Sequence, residues 1–155
     1  MNDATFEDGA DQPLHIKALE TDDLTAISAL AQDAVFPASE MTWRTNERRF
    51  AVLLNRFRWE DSRGATQAPE RVQALLVVDG VMKVASQGVV RGDKDLILSV
   101  LSITFEPGED GAGQVILTLA GDGAISAHVE ALDVTLKDVT KPYVAVSKQT
   151  PKHPG

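Results

Sequence analysis

At 155 residues the chain is long enough for one domain with a real core. Its formal net charge of −8 argues against non-specific nucleic-acid binding as the main task. Cysteine is absent, which excludes disulfides, thiolate zinc sites, iron–sulfur clusters and cysteine nucleophiles.

No apolar run approaches the ~20 residues that a helical membrane span needs. The start, Met1-Asn2-Asp3-Ala4-Thr5-Phe6-Glu7-Asp8, lacks the basic and apolar regions of a secretory signal. The expected setting is therefore the cytoplasm, with no membrane and no nucleic acid as partner. Residues 1–13 are polar and acidic without periodicity and read as a disordered tail.

Leu14, Ile16 and Ala18 alternate with His15 and Lys17, which predicts a short first strand. Thr21 is the expected N-cap of a helix. Asp22 and Asp23 complement its positive end, and Leu24, Ile27, Leu30 and Ala31 form its apolar face. The helix is expected to end near Ala31, because Pro37 forces the preceding residues into extended geometry. A short strand is expected over 40–43.

Residues 49–59 predict the longest strand of this half. Phe50, Val52 and Leu54 share one parity, whereas Phe57 and Trp59 share the other, so a bulge or a change of sheet is expected near Asn55. Residues 61–69 read as an exposed loop. Residues 72–78 and 81–89 flank Asp79-Gly80, the composition of a type I′ hairpin turn pairing Val77 with Met82 and Leu75 with Val84.

Residues 101–129 carry the clearest period of two: Leu101, Ile103, Phe105; Val115, Leu117, Leu119; Ile125, Ala127, Val129. The expected product is a three-stranded meander, apolar on one face. A three-residue loop with Gly123 in the left-handed region would pair Leu119 with Ile125, Leu117 with Ala127 and Val115 with Val129. Leu132, Val134 and Leu136 then continue on a switched parity, and residues 141–155 read as a C-terminal extension or tail.

The sum is one short N-terminal helix and eight or nine strands over residues 14–140. The predicted class is α+β, predominantly antiparallel β: a strongly bent sheet or partly closed barrel, with a two-layer β-sandwich as the alternative.

Several segments together carry a family resemblance. They are Asp23-Leu24 through Ile27-Ser28-Ala29, Gln32-Asp33-Ala34-Val35, and Arg48-Arg49-Phe50-Ala51 through Leu54-Asn55-Arg56-Phe57-Arg58-Trp59-Glu60. They continue with Glu70-Arg71-Val72, Ser86-Gln87-Gly88-Val89, Ile103-Thr104-Phe105-Glu106-Pro107-Gly108 and Ala120-Gly121-Asp122-Gly123-Ala124-Ile125. Over residues 14–139 the chain resembles the small bacterial family known as domain of unknown function 2948. The resemblance implies a bacterial, cytoplasmic, single-domain protein and brings no catalytic residue, cofactor or substrate.

The most unusual chemistry lies between Arg44 and Arg71. Seven arginines and no lysine stand there against Glu47, Glu60, Asp61 and Glu70, a local excess of three positive charges in an acidic chain. Arginine presents a planar fork that matches carboxylate or phosphate and stacks on aromatic rings. Arg49, Arg56, Arg58, Trp59 and Arg71 are the candidate residues of a face that binds an acidic partner or an anion. The competing expectation is that these arginines pair with the chain's own carboxylates.

Other constellations are weaker. His128 and Glu130 share a polar strand face and could form an acid–base pair, although a lone surface histidine explains His128 as well. The glycines at 108–113 and 121–123 lack the strand–loop–helix context of a phosphate loop and read as turns. Asp33, just past the helix, is expected to bond backbone amides or to pair with Arg49. No metal-ligand spacing and no serine elbow is present, and no cofactor is expected.

The leading expectation is a non-enzymatic binding or adaptor domain that contacts a protein partner through its arginine-bearing strand. The alternative is an anionic small-molecule or enzymatic site in a barrel mouth at Arg56, Arg58 or Arg71. Homodimerisation through a strand edge is compatible with either.

Overall fold

The computed structural model describes residues 13–57 and 70–140, together with the backbone of Tyr143–Val144. Strand β1 (His15–Ala18) leads into helix α1 (Thr21–Ala31), then β2 (Val35–Pro37), β3 (Met41–Arg44) and β4 (Arg49–Phe57). The second half runs through β5 (Glu70–Asp79), β6 (Val81–Gln87), β7 (Ile97–Pro107), β8 (Gly113–Leu119), β9 (Ala124–Val129), β10 (Val134–Asp138) and β11 (Tyr143–Val144).

Every pairing is antiparallel. The strands follow one path, β1-β10-β5-β4-β2-β7-β8-β9-β6, with β3 added beside β4 and β11 beside β5. The path ends at β1 and β6, which do not pair, so an open sheet replaces the expected partly closed barrel. The broad α+β, mainly antiparallel class holds.

The core forms where the period-two faces meet the helix. Phe50, Val52 and Leu54 of β4, Val72, Ala74, Leu76 and Val78 of β5, and Val134 and Leu136 of β10 are buried. They join Ile103, Val115, Leu117, Leu119, Ile125, Ala127 and Val129 of the meander. Leu24, Ile27 and Ala31 of α1 close this core, as their helical spacing requires.

Thr21 is not the cap. Glu20 takes that position in extended geometry without a side-chain bond, and Thr21 opens the helix, its carbonyl accepting from Thr25 Oγ1 at 3.1 Å. Ser28, one turn before the helix end, accepts the backbone N–H of Ile103 at 2.8 Å. The helix thus satisfies a donor on β7 that no strand reaches there.

The expected hairpin at Asp79-Gly80 is corrected to a corner. β5 lies between β4 and β10, whereas β6 pairs with β9. Gly80 adopts a left-handed φ of 74°, and the backbone around it bonds three different segments. Asp79 N–H donates to Asp133 O (3.0 Å), Val81 N–H to Arg48 O (2.9 Å), and Glu130 N–H to Gly80 O (3.1 Å). Turn composition marks the change of direction, and long-range partners decide where the chain goes.

The meander exists with a register displaced by two residues. Leu117 pairs with Ile125, Val115 with Ala127 and Gly113 with Val129, so every side chain keeps its face. Gly121 and Asp122, rather than Gly123, take positive φ (83° and 70°), and Ala120 N–H is drawn off to Ser99 O at 3.0 Å. A bulge between Val100 and Ser102 turns Leu101 outward to 46 % exposure, so Leu98 and Val100 take the buried places before it.

No bulge occurs near Asn55. β4 pairs with β5 without interruption from Arg49↔Asp79 to Phe57↔Arg71. The inward slot after Leu54 belongs to Arg56, whose side chain is fully buried. The apparent change of parity is a charged residue occupying a core position.

Candidate functional site

Strands β3, β4, β5, β10 and β1 lie side by side and present an outer face opposite the core. Three rows of paired residues cross it. Thr42, Ala51, Val77, Thr135 and Lys17 form the middle row. Arg44, Arg49 and Asp79 form the row on one side, and Leu53, Leu75, Lys137 and His15 the row on the other. An open groove of about 560 Å³ runs over this face, with Ala51, Leu75 and Val77 in its floor. These three are only half-buried, unlike the fully buried apolar residues on the opposite face.

The rim of the groove is basic at two diagonal corners. Arg44 stands directly opposite Arg49, and Lys137 directly opposite His15. The first corner is neutralised locally: Arg49 Nε lies 2.8 Å from Asp79 Oδ1, and Glu47 sits 3.8 Å from Arg49 and 3.4 Å from Arg44. The hydrogen bond that Arg49 donates to Asp79, and then the Asp79 charge, raise the Arg49 pKa above its ordinary value. The second corner differs. Among the described residues, neither Lys137 nor His15 has a carboxylate partner. Lys137 supplies the positive charge of this corner, and His15 stands beside it as a further hydrogen-bonding group.

The arginines singled out from sequence do not converge. Arg49 lies on the groove, half exposed. Arg71 stands at the far end of the same face, about 26 Å along the strand from Arg49 at ~3.3 Å per residue. Its guanidinium stacks 4.1 Å from the Phe57 ring centroid and donates to Asn55 Oδ1 at 3.0 Å. Arg58 and Trp59 lie outside the described residues.

Arg56 is the clear correction. It points inward, is inaccessible to any partner, and forms a two-pronged ion pair with Asp138 through Nε (3.1 Å) and Nη2 (3.2 Å). Its Nη1 donates to Phe57 O at 3.1 Å. Asp138 Oδ2 also accepts the backbone N–H of Leu14 at 2.9 Å, which ties β1 into the same network.

The remaining candidates resolve into structural roles. Glu130 accepts from Arg48 Nη1 at 3.1 Å, so its charge is engaged away from a His128 dyad. Asp33 adopts a left-handed φ of 69° and its N–H donates to Val100 O at 2.8 Å, while Arg49 is bound to Asp79. No group of three or more metal-ligating side chains occurs among the described residues. No helix among them is long and apolar enough to cross a membrane.

Thr42, Thr135, Lys137 and His15 were not marked by sequence as a site. Their outward parity is readable, but the pairing that assembles them from residues 15 to 137 is not. No curated protein and no solved structure matches the chain. A family model does match it, over residues 14–153, and the chain belongs to that family, described as protein of unknown function (DUF2948).

Proposed function

We propose that this is a non-enzymatic cytoplasmic binding domain whose outer sheet groove contacts an acidic segment of a protein partner. One observation carries the reading: half-buried apolar residues, Ala51, Leu75 and Val77, floor an open sheet face whose Lys137–His15 corner holds uncompensated basic groups. A flat apolar centre with a charged rim is the usual build of a protein-contact surface. Arg44 and Arg49 set the opposite rim, so the arginine-bearing strand contributes through Arg49 and not through Arg56.

The anionic small-molecule reading has less support. It draws on Arg56, Arg58 or Arg71: Arg56 is paired with Asp138 inside the core, Arg71 is engaged with Phe57 and Asn55, and Arg58 lies outside the described residues.

A photo-crosslinking residue at Thr42, on the groove, tests the proposal against one at Ser86, exposed on β6. The proposal expects a protein adduct from position 42 that Lys137→Glu abolishes. Equal adducts from both positions, insensitive to Lys137→Glu, would contradict it.

A further inference from the structure

We infer that the partner's acidic segment enters as an extended strand added to the free edge of β1, with acidic and apolar residues in alternation. The inference rests on the binding role proposed for the outer face. Three observations carry it.

The first is the direction of the main chain. β1 ends the sheet and, among the described residues, pairs only with β10. Asp138 N–H donates to Leu14 O at 2.9 Å, and the register carries this bonded pair forward to Ile16↔Leu136 and Ala18↔Val134. In an antiparallel strand each residue turns both its main-chain groups to one side, and alternate residues turn them to opposite sides. Leu14, Ile16 and Ala18 therefore face β10, whereas His15 and Lys17 aim their N–H and C=O groups at the open edge. Such a row is a template for one more strand. The other end of the sheet is a poorer template. β6 is interrupted by a bulge between Val81 and Lys83, and Val81 N–H is taken by Arg48 O.

The second is burial. Leu14 and Ile16 pack against the core yet are only half-buried, whereas Leu136, directly opposite Ile16, is fully buried. A residue set opposite Ile16 on an added strand points to the same side of the sheet and covers it, so an apolar side chain belongs there.

The third is charge. His15 and Lys17 are exposed on the outer side. Lys17 is already held by Asp133 at 3.4 Å, so the free positive charge here is that of Lys137, directly across from His15. A residue opposite His15 on the added strand points to this outer side. A carboxylate there accepts a hydrogen bond from His15 and approaches the long Lys137 side chain over it. Alternation of acid and apolar residues satisfies both sides of the edge at once.

The probe is a short capped peptide of alternating glutamate and valine, added to the isotope-labelled full chain. Hydrogen exchange at the His15 and Lys17 amides is expected to slow about tenfold, with little change at Ile16, whose N–H already faces β10. In an antiparallel strand the glutamate nitrogens face His15 and Lys17. Methyl groups on them are expected to weaken binding about tenfold, and methyl groups on the valine nitrogens to be tolerated. No slowing at His15 and Lys17, or equal tolerance of both methylation patterns, overturns the inference. Exchange at these two amides as slow as at Ile16 in the protein alone also overturns it, because the chain itself or a second copy would then already cover the edge.

A second readout separates this inference from the binding proposal. Lys17→Pro removes an N–H that faces away from β10, a substitution that edge strands tolerate, and Lys17→Ala controls for the loss of the Asp133 contact. Unchanged exchange at the Leu136 amide shows that β1 and β10 still pair in both variants. Lys17→Pro is expected to abolish the position-42 partner adduct and Lys17→Ala to retain it. An adduct retained by both overturns the added strand and leaves the groove reading standing.

Discussion

Arg56 and Asp138, 82 residues apart in sequence, meet as a buried two-pronged ion pair across β5. Arg56 is fully buried and the Asp138 side chain is 4 % exposed, so the pair is shielded from water. The pair fixes β4 and β10 on either side of β5 and, through the Leu14 N–H, holds the first strand in place.

Removing either side chain breaks the two-pronged contact inside the core. Asp138→Ala is expected to destabilise the fold by about 3–5 kcal/mol, and Arg56→Ala by a comparable amount. The double replacement Arg56→Met/Asp138→Leu should recover most of that loss, because a matched apolar pair avoids the desolvation cost. Urea unfolding of the four proteins checks this. Additive losses in the double variant would contradict a pair mechanism.

Ser28 seals the edge of β7 by accepting the Ile103 N–H. Ser28→Ala leaves that buried donor without its acceptor, at an expected cost of about 1–3 kcal/mol. Hydrogen exchange at the Ile103 amide should accelerate more than exchange at its hairpin neighbours. Uniform acceleration along β7 would point to loss of helix packing instead.

Gly113 has a packing reason to be glycine. A Cβ there would lie 2.7 Å from the Phe105 ring, and it would also press on the Glu106 carbonyl across the hairpin. Gly113→Ala is expected to destabilise by about 1–3 kcal/mol through overpacking. Thermal melts should show a smaller effect of the same change in a Phe105→Leu background, since only the backbone contact then remains.

The Arg49–Asp79 pair is exposed and should matter little to stability. Arg49→Ala is expected to change unfolding free energy by no more than about 1 kcal/mol. Raising salt should shrink even that difference. A loss as large as that of Asp138→Ala would show that the two ion pairs have been assigned the wrong roles.

What could be read from sequence was local. The helix ending at Ala31, the alternating faces of the meander and the parity of Leu132, Val134 and Leu136 all follow from spacing. What escaped was long-range. The Asp79-Gly80 turn looks like a hairpin because both flanking strands are apolar and β-branched, and only the competing partners β4, β10 and β9 make it a corner. Arg56 was within reach: counting by two from Phe50, Val52 and Leu54 lands on it. A charged residue in the inward slot suggests a bulge unless its partner is known, and Asp138 lies too far along the chain to be guessed. The groove was hidden for the same reason, since its middle row joins residues 42, 51, 77, 135 and 17.

The most direct measurement is affinity capture from native lysate with three folded proteins: wild type, Arg44→Glu/Lys137→Glu on the groove, and Lys83→Glu on β6. The account predicts a partner retained by the wild type and the Lys83→Glu protein and lost by the groove variant. A partner retained equally by all three, or lost only with Lys83→Glu, would contradict the assignment of the outer sheet groove as the binding face.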